Sequence, residues 1–187
     1  LESGASNTVA IGQYALGALT SGAGNVAVGY QAGTALTTGG YNTAVGYESG
    51  EALTTGTNNV TLGYRALYRA TTQANNNVAI GHESMSGNFT TADVDGCVAI
   101  GGSSLVGTLT TAASNSVAIG NSALAALTSG AANTSIGYQS MDELTTGSWN
   151  TAVGYGALHQ MDGSEAHNTA LGYLAGDVID GGSANTL

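Results

Sequence analysis

Few side chains in this 187-residue sequence are of the types that catalyse reactions or hold metals. The three histidines are His82, His159 and His167, and none stands at a recognised metal-ligand spacing, although Asp162 and Glu165 lie near the last two. The glycines recur at regular intervals and do not form the single glycine-rich loop that cradles a phosphate. We therefore expect no catalytic residues, no enzyme activity and no cofactor.

The longest insertion in the chain, residues 88–96, contains a weak indication of a metal site. Asp93 and Asp95, followed by Gly96, resemble part of a calcium loop, but the other ligands and the closing glutamate are missing. A solvated acidic turn is the favoured interpretation, which leaves the two aspartates as weak metal candidates. Cys97 is the single cysteine, so an intrachain disulfide is excluded; it stands where asparagine is usual, which predicts a small buried residue.

Tyrosine directly follows a recurring glycine in six places. A row of such rings could bind sugars by stacking on pyranose faces, but a structural ladder that closes one corner of a repeat is the favoured interpretation. In the middle of the chain His82, Gly102 and Asn121 replace tyrosine, near the insertion, and insertions in repeat proteins form surface loops that often recognise partners. The candidates for surface recognition are therefore Tyr30, Tyr47, Tyr64, Tyr138, Tyr155, Tyr173 and Phe89.

The charge balance limits the partners that the protein can have. Twelve acidic residues stand against two basic ones, Arg65 and Arg69, so the formal net charge is −10. Nucleic-acid binding needs lysine or arginine to displace counterions, and such a partner is excluded. No segment approaches the ~18 consecutive apolar residues of a membrane-spanning helix, so membrane insertion is not expected.

One glycine recurs after a short apolar segment every 17 to 20 residues, which indicates ten sequence repeats. Residues 42–47 and 150–155 show the motif in full as Asn-Thr-Ala-Val-Gly-Tyr. The recurring glycines are Gly12, Gly29, Gly46, Gly63, Gly81, Gly101, Gly120, Gly137, Gly154 and Gly172.

The residues one and three positions before each recurring glycine are Val, Ile, Leu or Thr, and a small residue, usually alanine, stands between them. Because residues two apart share one side of a strand, this pattern predicts strands with a bulky face and a flat face. We expect the bulky face to point into a core and the flat alanine face to let another sheet approach. The predicted core ladder is Ile11, Val28, Val45, Leu62, Ile80, Ile100, Ile119, Ile136, Val153 and Leu171.

Each repeat adds further apolar residues four and seven or eight positions after its glycine, but one repeat has too few inward groups to fold alone. Stacking of successive repeats closes a continuous core, as in solenoid proteins. The sequence therefore predicts an all-β fold, a parallel β-solenoid of about ten 17–20-residue coils, as one domain over residues 1–187. A short helical turn after each glycine is an alternative for that part of the repeat. Stacking also accounts for the few charges, because like charges would repel in a column.

The repeat motif resembles that of a known family. Residues 77–81, Asn-Val-Ala-Ile-Gly, and 116–120, Ser-Val-Ala-Ile-Gly, are similar to the head repeats of YadA-type trimeric autotransporter adhesins. The longer Asn-Thr-Ala-Val-Gly-Tyr motif is similar to repeats of bacteriophage tail fibres, and the resemblance covers residues 7–187. It implies a left-handed β-roll, a homotrimer and an extracellular location on a virion fibre or bacterial surface. The implied partner is a host cell-surface glycan or protein receptor.

Both ends of the sequence fall inside repeats without a polar cap, which predicts a segment of a longer fibrous chain. The expected function is a structural shaft or head segment of an adhesin or phage tail fibre that mediates attachment to a cell surface. An ice-binding solenoid is an alternative because Thr, Ala and Gly are abundant, but adjacent threonines would point to opposite sides of a strand. A self-assembling filament subunit, whose open coils stack end to end, is a further alternative.

Overall fold

The computed structural model describes residues 4–70, 73–88, 93–179 and 182–187. Ten strands of three residues each recur along these ranges, one immediately before every recurring glycine. In chain order, β1 to β10 are Val9–Ile11, Val26–Val28, Thr43–Val45, Val60–Leu62, Val78–Ile80, Val98–Ile100, Val117–Ile119, Thr134–Ile136, Thr151–Val153 and Thr169–Leu171. They form one parallel sheet in which each strand pairs with the next along the chain. The prediction of an all-β parallel solenoid is confirmed.

Equivalent residues of successive coils lie side by side. Ala27 pairs with Ala44, and the ladder continues beyond the strand because the Gly46 N–H donates to the Val28 carbonyl at 2.8 Å. The recurring glycines have φ between +125° and +145°, a region that residues with a Cβ rarely adopt. The backbone turn at the end of each strand therefore requires the glycine that defines the repeat.

Each coil changes direction at residues in the left-handed backbone conformation. In the coil that contains Gly120 these are Asn115 at φ 61°, Ser122 at φ 57° and Leu124 at φ 51°. Such a conformation costs roughly 1 kcal/mol or more per residue with a Cβ, so the contacts between coils must hold these corners. The predicted alternative of a helical turn after each glycine is not adopted: within the described ranges the only helical element is the 3₁₀ turn Thr111–Ala113, and no helix there is long and apolar enough to cross a membrane.

Large apolar side chains from outside the strands fill the interior, as the repeat pattern predicts. Residues four positions after the recurring glycines, and those seven or eight positions after them, are almost completely buried. A cavity of about 10 Å³ lies where Gly33 and Gly50 take the place of a larger residue in the first of these rows. The buried members are Leu16, Leu67, Met85, Leu105, Leu124, Met141 and Leu158 in the first row, and Leu19, Leu36, Leu53, Leu109, Leu127, Leu144 and Met161 in the second.

The prediction that the bulky strand residues form the core ladder is wrong. The middle residue of the strand is buried instead: Ala79, Ala99 and Ala118 are 0% exposed, while the strand residues on either side of them are only half-buried. At the two ends of the sheet, Ile11 is 60% exposed and Leu171 is 72% exposed. The side chains that point outward are therefore those of Ile11, Val28, Val45, Leu62, Ile80, Ile100, Ile119, Ile136, Val153 and Leu171.

The size of the interior explains this orientation. A coil of about 17 residues encloses room for the large side chains that its turns supply, so the strand must contribute a small residue to the same close-packed layer. Valine or isoleucine at the position of Ala99 would overpack that layer. The flat alanine face is therefore inside the solenoid, and the sheet presents a bulky apolar face to its surroundings.

Candidate functional site

The tyrosines that follow the recurring glycines stack on one another along the solenoid. Within two stacks, the ring centroids of neighbours are 5.0–5.4 Å apart and their planes differ by 12–20°. Gly102 and Asn121 stand between the two stacks in the same row. The stacks consist of Tyr30, Tyr47, Tyr64 and His82, and of Tyr138, Tyr155 and Tyr173.

This stacking determines which parts of the rings a ligand could reach. Although the tyrosines are 37–74% exposed, a ring inside a stack has neighbouring rings on both of its faces. Stacking of a sugar is therefore restricted to the terminal rings, such as His82 and Tyr138, while the other rings present their edges. Phe89, the remaining candidate for surface recognition, lies outside the described residues.

A buried row of asparagines lies immediately before the strands. Where two asparagines follow each other in this row, the side-chain oxygen of the first accepts hydrogen bonds from the second, for example Asn150 Oδ1 from the Asn168 backbone N–H at 2.9 Å and from Asn168 Nδ2 at 3.2 Å. Cys97 and Ser116 take the place of asparagine at two positions of this row. Its asparagines are Asn25, Asn42, Asn59, Asn77, Asn133, Asn150, Asn168 and Asn185.

Cys97 is a structural member of this row. Its backbone N–H donates to Asn77 Oδ1 at 2.8 Å, and its side chain is completely buried, as predicted. Burial raises the pKa of the Cys97 thiol to about 11. Because the thiolate is the reactive form, this cysteine is a poor nucleophile at neutral pH.

The carboxylates of Asp93 and Asp95 hydrogen-bond to the preceding coil. Asp95 Oδ1 accepts from the Asn75 backbone N–H at 2.7 Å and from Asn75 Nδ2 at 3.2 Å, while Asp93 Oδ1 accepts from the Gln73 N–H at 3.3 Å. Across the described residues, no three His, Cys, Asp or Glu side chains are grouped so that they could hold a metal ion. The geometry thus favours a structural role for both weak metal candidates.

The histidines occupy three different surroundings. His82 stacks on Tyr64, and His167 stacks on Trp149 with ring centroids 5.0 Å apart. His159 lies between carboxylates of the two neighbouring coils, with Nε2 3.6 Å from Asp142 Oδ1 and Nδ1 4.0 Å from Asp177 Oδ1. The carboxylates that face His159 are thus those of Asp142 and Asp177, one coil away on either side, where sequence proximity does not indicate them.

Asp142 and His159 each have a buried polar atom that lacks the hydrogen bond such atoms usually make within the described residues. Asp142 Oδ1 and His159 Nδ1 are inaccessible to solvent and have no hydrogen-bond partner among the residues that the structure describes. Desolvation raises the pKa of the Asp142 carboxyl, and the opposing attraction of His159 is the smaller effect. A raised pKa in the folded state means that the ionised carboxylate destabilises the fold above that pKa.

Asp142→Asn is therefore expected to stabilise the protein at pH 8, where the carboxyl is ionised. We expect the midpoint of thermal unfolding to rise by about 2–4 °C, which corresponds to relief of roughly 1 kcal/mol. The gain should shrink at pH 5, because the raised pKa leaves the carboxyl closer to neutral there. Thermal melts at both pH values check this. Glu143→Gln is the control: it removes the same charge from an exposed neighbour, and an equal gain there would contradict the interpretation.

Threonine hydroxyls of the Leu-Thr-Thr and Leu-Thr-Ser segments form hydrogen bonds within the chain. Four of them donate to the backbone carbonyl of an equivalent residue in the next coil at 2.8–3.0 Å. These hydroxyls therefore do not form a free array that could match an ice lattice. The four are Thr20, Thr37, Thr128 and Thr145.

The two arginines lie together at a cleft of about 320 Å³, although the sequence indicated them only as part of the net charge. The guanidinium carbons of Arg65 and Arg69 are 4.8 Å and 5.7 Å from the ring centroid of Tyr68. Their four-residue spacing within one repeat was the available sign that the only two arginines of the chain could act together.

Comparison of the chain with known protein families, with curated proteins and with solved structures gives no match. Besides the tyrosine stacks and the arginine cleft, the solenoid presents a third surface, the outer side of its sheet. We call the first and third residues of β1 to β10 the outward ladder.

Proposed function

We propose that this chain is a structural segment of an extracellular homotrimeric fibre, an adhesin or a phage tail fibre, that mediates attachment to a cell surface. The observation that carries the proposal is the outward ladder, in which Val, Ile, Leu and Thr side chains remain half-buried or exposed along all ten strands. Large contiguous apolar patches on a protein surface mark interaction sites.

The dimensions of the outward ladder suit association of several copies. Ten strands spaced by about 4.8 Å extend over roughly 43 Å, and three residues give a width of roughly 10 Å, or an area of roughly 400 Å². Three copies that face a common axis would each bury roughly 400 Å², about half of the ~800 Å² per partner of a standard interface, so the ladder can form the apolar centre of an interface to which the surfaces beside it also contribute. The ladder also runs along the side of the solenoid, so it favours lateral association over end-to-end filaments.

Charge supports the same conclusion. The strands β1 to β10 contain no acidic residue, so the ladder is free of charge in a chain whose net charge is −10. Side-by-side chains would therefore bring apolar rows together while their carboxylates stay at other surfaces. The adhesin and tail-fibre motifs that the repeats resemble occur in trimeric proteins with a left-handed coil, and we include that handedness in the proposal.

The proposal predicts the mass of the purified chain. Size-exclusion chromatography with light scattering at micromolar concentration is expected to give three times the chain mass of 18.3 kDa. A clean monomer would contradict the proposal. Long threads in electron micrographs would instead favour the end-to-end filament.

Leu62→Asp is expected to convert the trimer into folded monomers. The side chain of Leu62 is 46% exposed in the single chain, so a monomer should tolerate the carboxylate and keep its circular dichroism spectrum. In a trimer the same charge would be buried at a cost of several kcal/mol per copy.

The matched control for this variant is Asn121→Asp, which adds one negative charge at an exposed position outside the strands. Light scattering should report a trimer for this control. Dissociation of both variants would indicate a general charge effect, and dissociation of neither would show that the outward ladder is not the interface.

A further inference from the structure

A concave polar surface lies beside the two arginines. It spans three coils: Arg65, Tyr68 and Arg69 come from the first, Glu83 and Asn88 are among the residues from the second, and the third completes it. Its volume of about 320 Å³ falls at the lower end of the range for small-molecule sites. None of its lining residues belongs to a strand, so association through the outward ladder is compatible with an open cleft.

Arg65 is already held in place by the protein. Its Nε lies 2.7 Å from Glu48 Oε2, and the carboxylate is largely buried. The guanidinium carbon lies between the rings of Tyr64 and Tyr68, at 5.1 Å and 4.8 Å from their centroids. This arginine is neutralised by its partner and serves as a fixed support for Tyr68.

Arg69 is the uncompensated cation of the cleft. Its guanidinium carbon lies 5.7 Å from the centroid of Tyr68, and no carboxylate of the described residues lies within 4 Å of it. A guanidinium that is not engaged by a protein carboxylate can offer two coplanar N–H donors to the carboxylate of a ligand.

The residues that the second and third coils contribute to the cleft are suited to hydroxyl groups. Glu83 supplies an acceptor, and Ser86, Asn88 and Thr108 supply polar side chains that make no hydrogen bond within the described ranges. With Glu83 present and a chain charge of −10, a polyanion would be repelled, whereas a ligand with one negative group would be accepted.

From this arrangement we propose that the cleft binds an acidic sugar, a pyranose unit that carries one carboxylate. The carboxylate pairs with Arg69, and the ring hydroxyls hydrogen-bond to the polar residues of the next two coils, above all to Glu83 and Asn88. This inference rests on the proposed function, because it assigns the class of cell-surface receptor that an attachment fibre would recognise. The affinity of one cleft is low, and repeated copies on a fibre raise it through multivalency.

Ligand-observed NMR titration of the whole chain with D-glucuronate and D-glucose tests the inference, since the two sugars differ by the carboxylate. Glucuronate is expected to bind at least about tenfold more tightly than glucose, because a carboxylate–guanidinium pair is a strong, charge-assisted contact. Acetate serves as the probe of charge alone and is expected to bind much more weakly. Equal binding of glucose and glucuronate, or equal binding of acetate and glucuronate, would overturn the inference.

Arg69→Gln is expected to weaken glucuronate binding at least about tenfold, and Arg69→Lys should retain part of it because the charge remains without the planar donor pair. Glu143→Gln is the matched control, because Glu143 holds the same position in its coil, six residues after the recurring glycine, but lies away from the cleft. Unchanged binding by Arg69→Gln would refute the site. A monomer that binds glucuronate would refute the fibre proposal alone, and a trimer that does not bind would refute the cleft alone.

Discussion

Gly120→Ala is expected to destabilise the protein by about 3 kcal/mol or more. Two causes act together at this position. Gly120 has a φ of +134°, which strains any residue with a Cβ. A Cβ there would also lie 2.3 Å from the carbonyl oxygen of Gly137 in the next coil, and backbone atoms cannot move aside without breaking the ladder.

Gly172→Ala separates the two causes. Gly172 has almost the same φ, +136°, but the nearest atom to an added Cβ is Ala175 Cβ at an ordinary 3.9 Å. Only the backbone strain of about 1–3 kcal/mol should therefore remain. Thermal and urea unfolding at one fixed protein concentration would measure both variants, because stability depends on concentration in an oligomer. Equal losses would show that the close approach between coils contributes nothing.

The architecture could be predicted because a single rule repeats ten times. A residue that must be glycine, preceded by two β-branched positions, marks the same point of every coil, and equivalent points then align in one parallel sheet. The rows of buried leucines and methionines were predictable for the same reason, since Leu124 and Leu127 stand at fixed distances from Gly120. Repetition supplies many independent observations of one local structure.

The orientation of the strand could not be predicted in the same way. Periodicity shows that Val98 and Ile100 share one side of β6 and that Ala99 has the other, but it does not say which side is inside. The usual preference for burying the larger residues gave the wrong answer. The deciding quantity is the interior volume, which depends on how far Leu105 and Leu109 reach across the coil, and that requires three-dimensional coordinates.

The contacts between coils could not be predicted from the sequence either. The asparagine before each strand was visible as a repeated letter, yet its bonding to the next coil depends on the spatial register. Likewise, Asp142 and His159 are 17 residues apart, and only stacking brings them within 3.6 Å. In a solenoid, the chemically relevant neighbour is one repeat away, so a search for local motifs misses it.

Asn150→Ala is expected to cost about 3 kcal/mol or more, because several buried hydrogen bonds disappear at once. The side chain of Asn150 donates to Asn133 Oδ1 at 3.1 Å and to the Glu165 carbonyl at 2.8 Å, and it accepts from the backbone and side chain of Asn168. Alanine removes the oxygen that accepts from the Asn168 backbone N–H and side chain, while Asn133 Oδ1 keeps only the bond from the residue-150 backbone N–H at 3.0 Å. Besides a lower unfolding midpoint, hydrogen exchange should accelerate at the Asn168 backbone amide, which donates to Asn150 Oδ1 at 2.9 Å.

Cys97→Ala provides the comparison within the same row. The Cys97 thiol makes only weak contacts, with Sγ 3.5 Å from the Ala113 carbonyl oxygen and 3.8 Å from that of Asp95, so its removal should cost about 1 kcal/mol. The Cys97 backbone N–H keeps its bond to Asn77 Oδ1 in that variant. A loss for Cys97→Ala as large as that for Asn150→Ala would mean that packing volume, and not the hydrogen-bonded asparagine row, holds the coils together. A large loss for Asn150→Ala alone would identify the row as the element that ties each coil to the next.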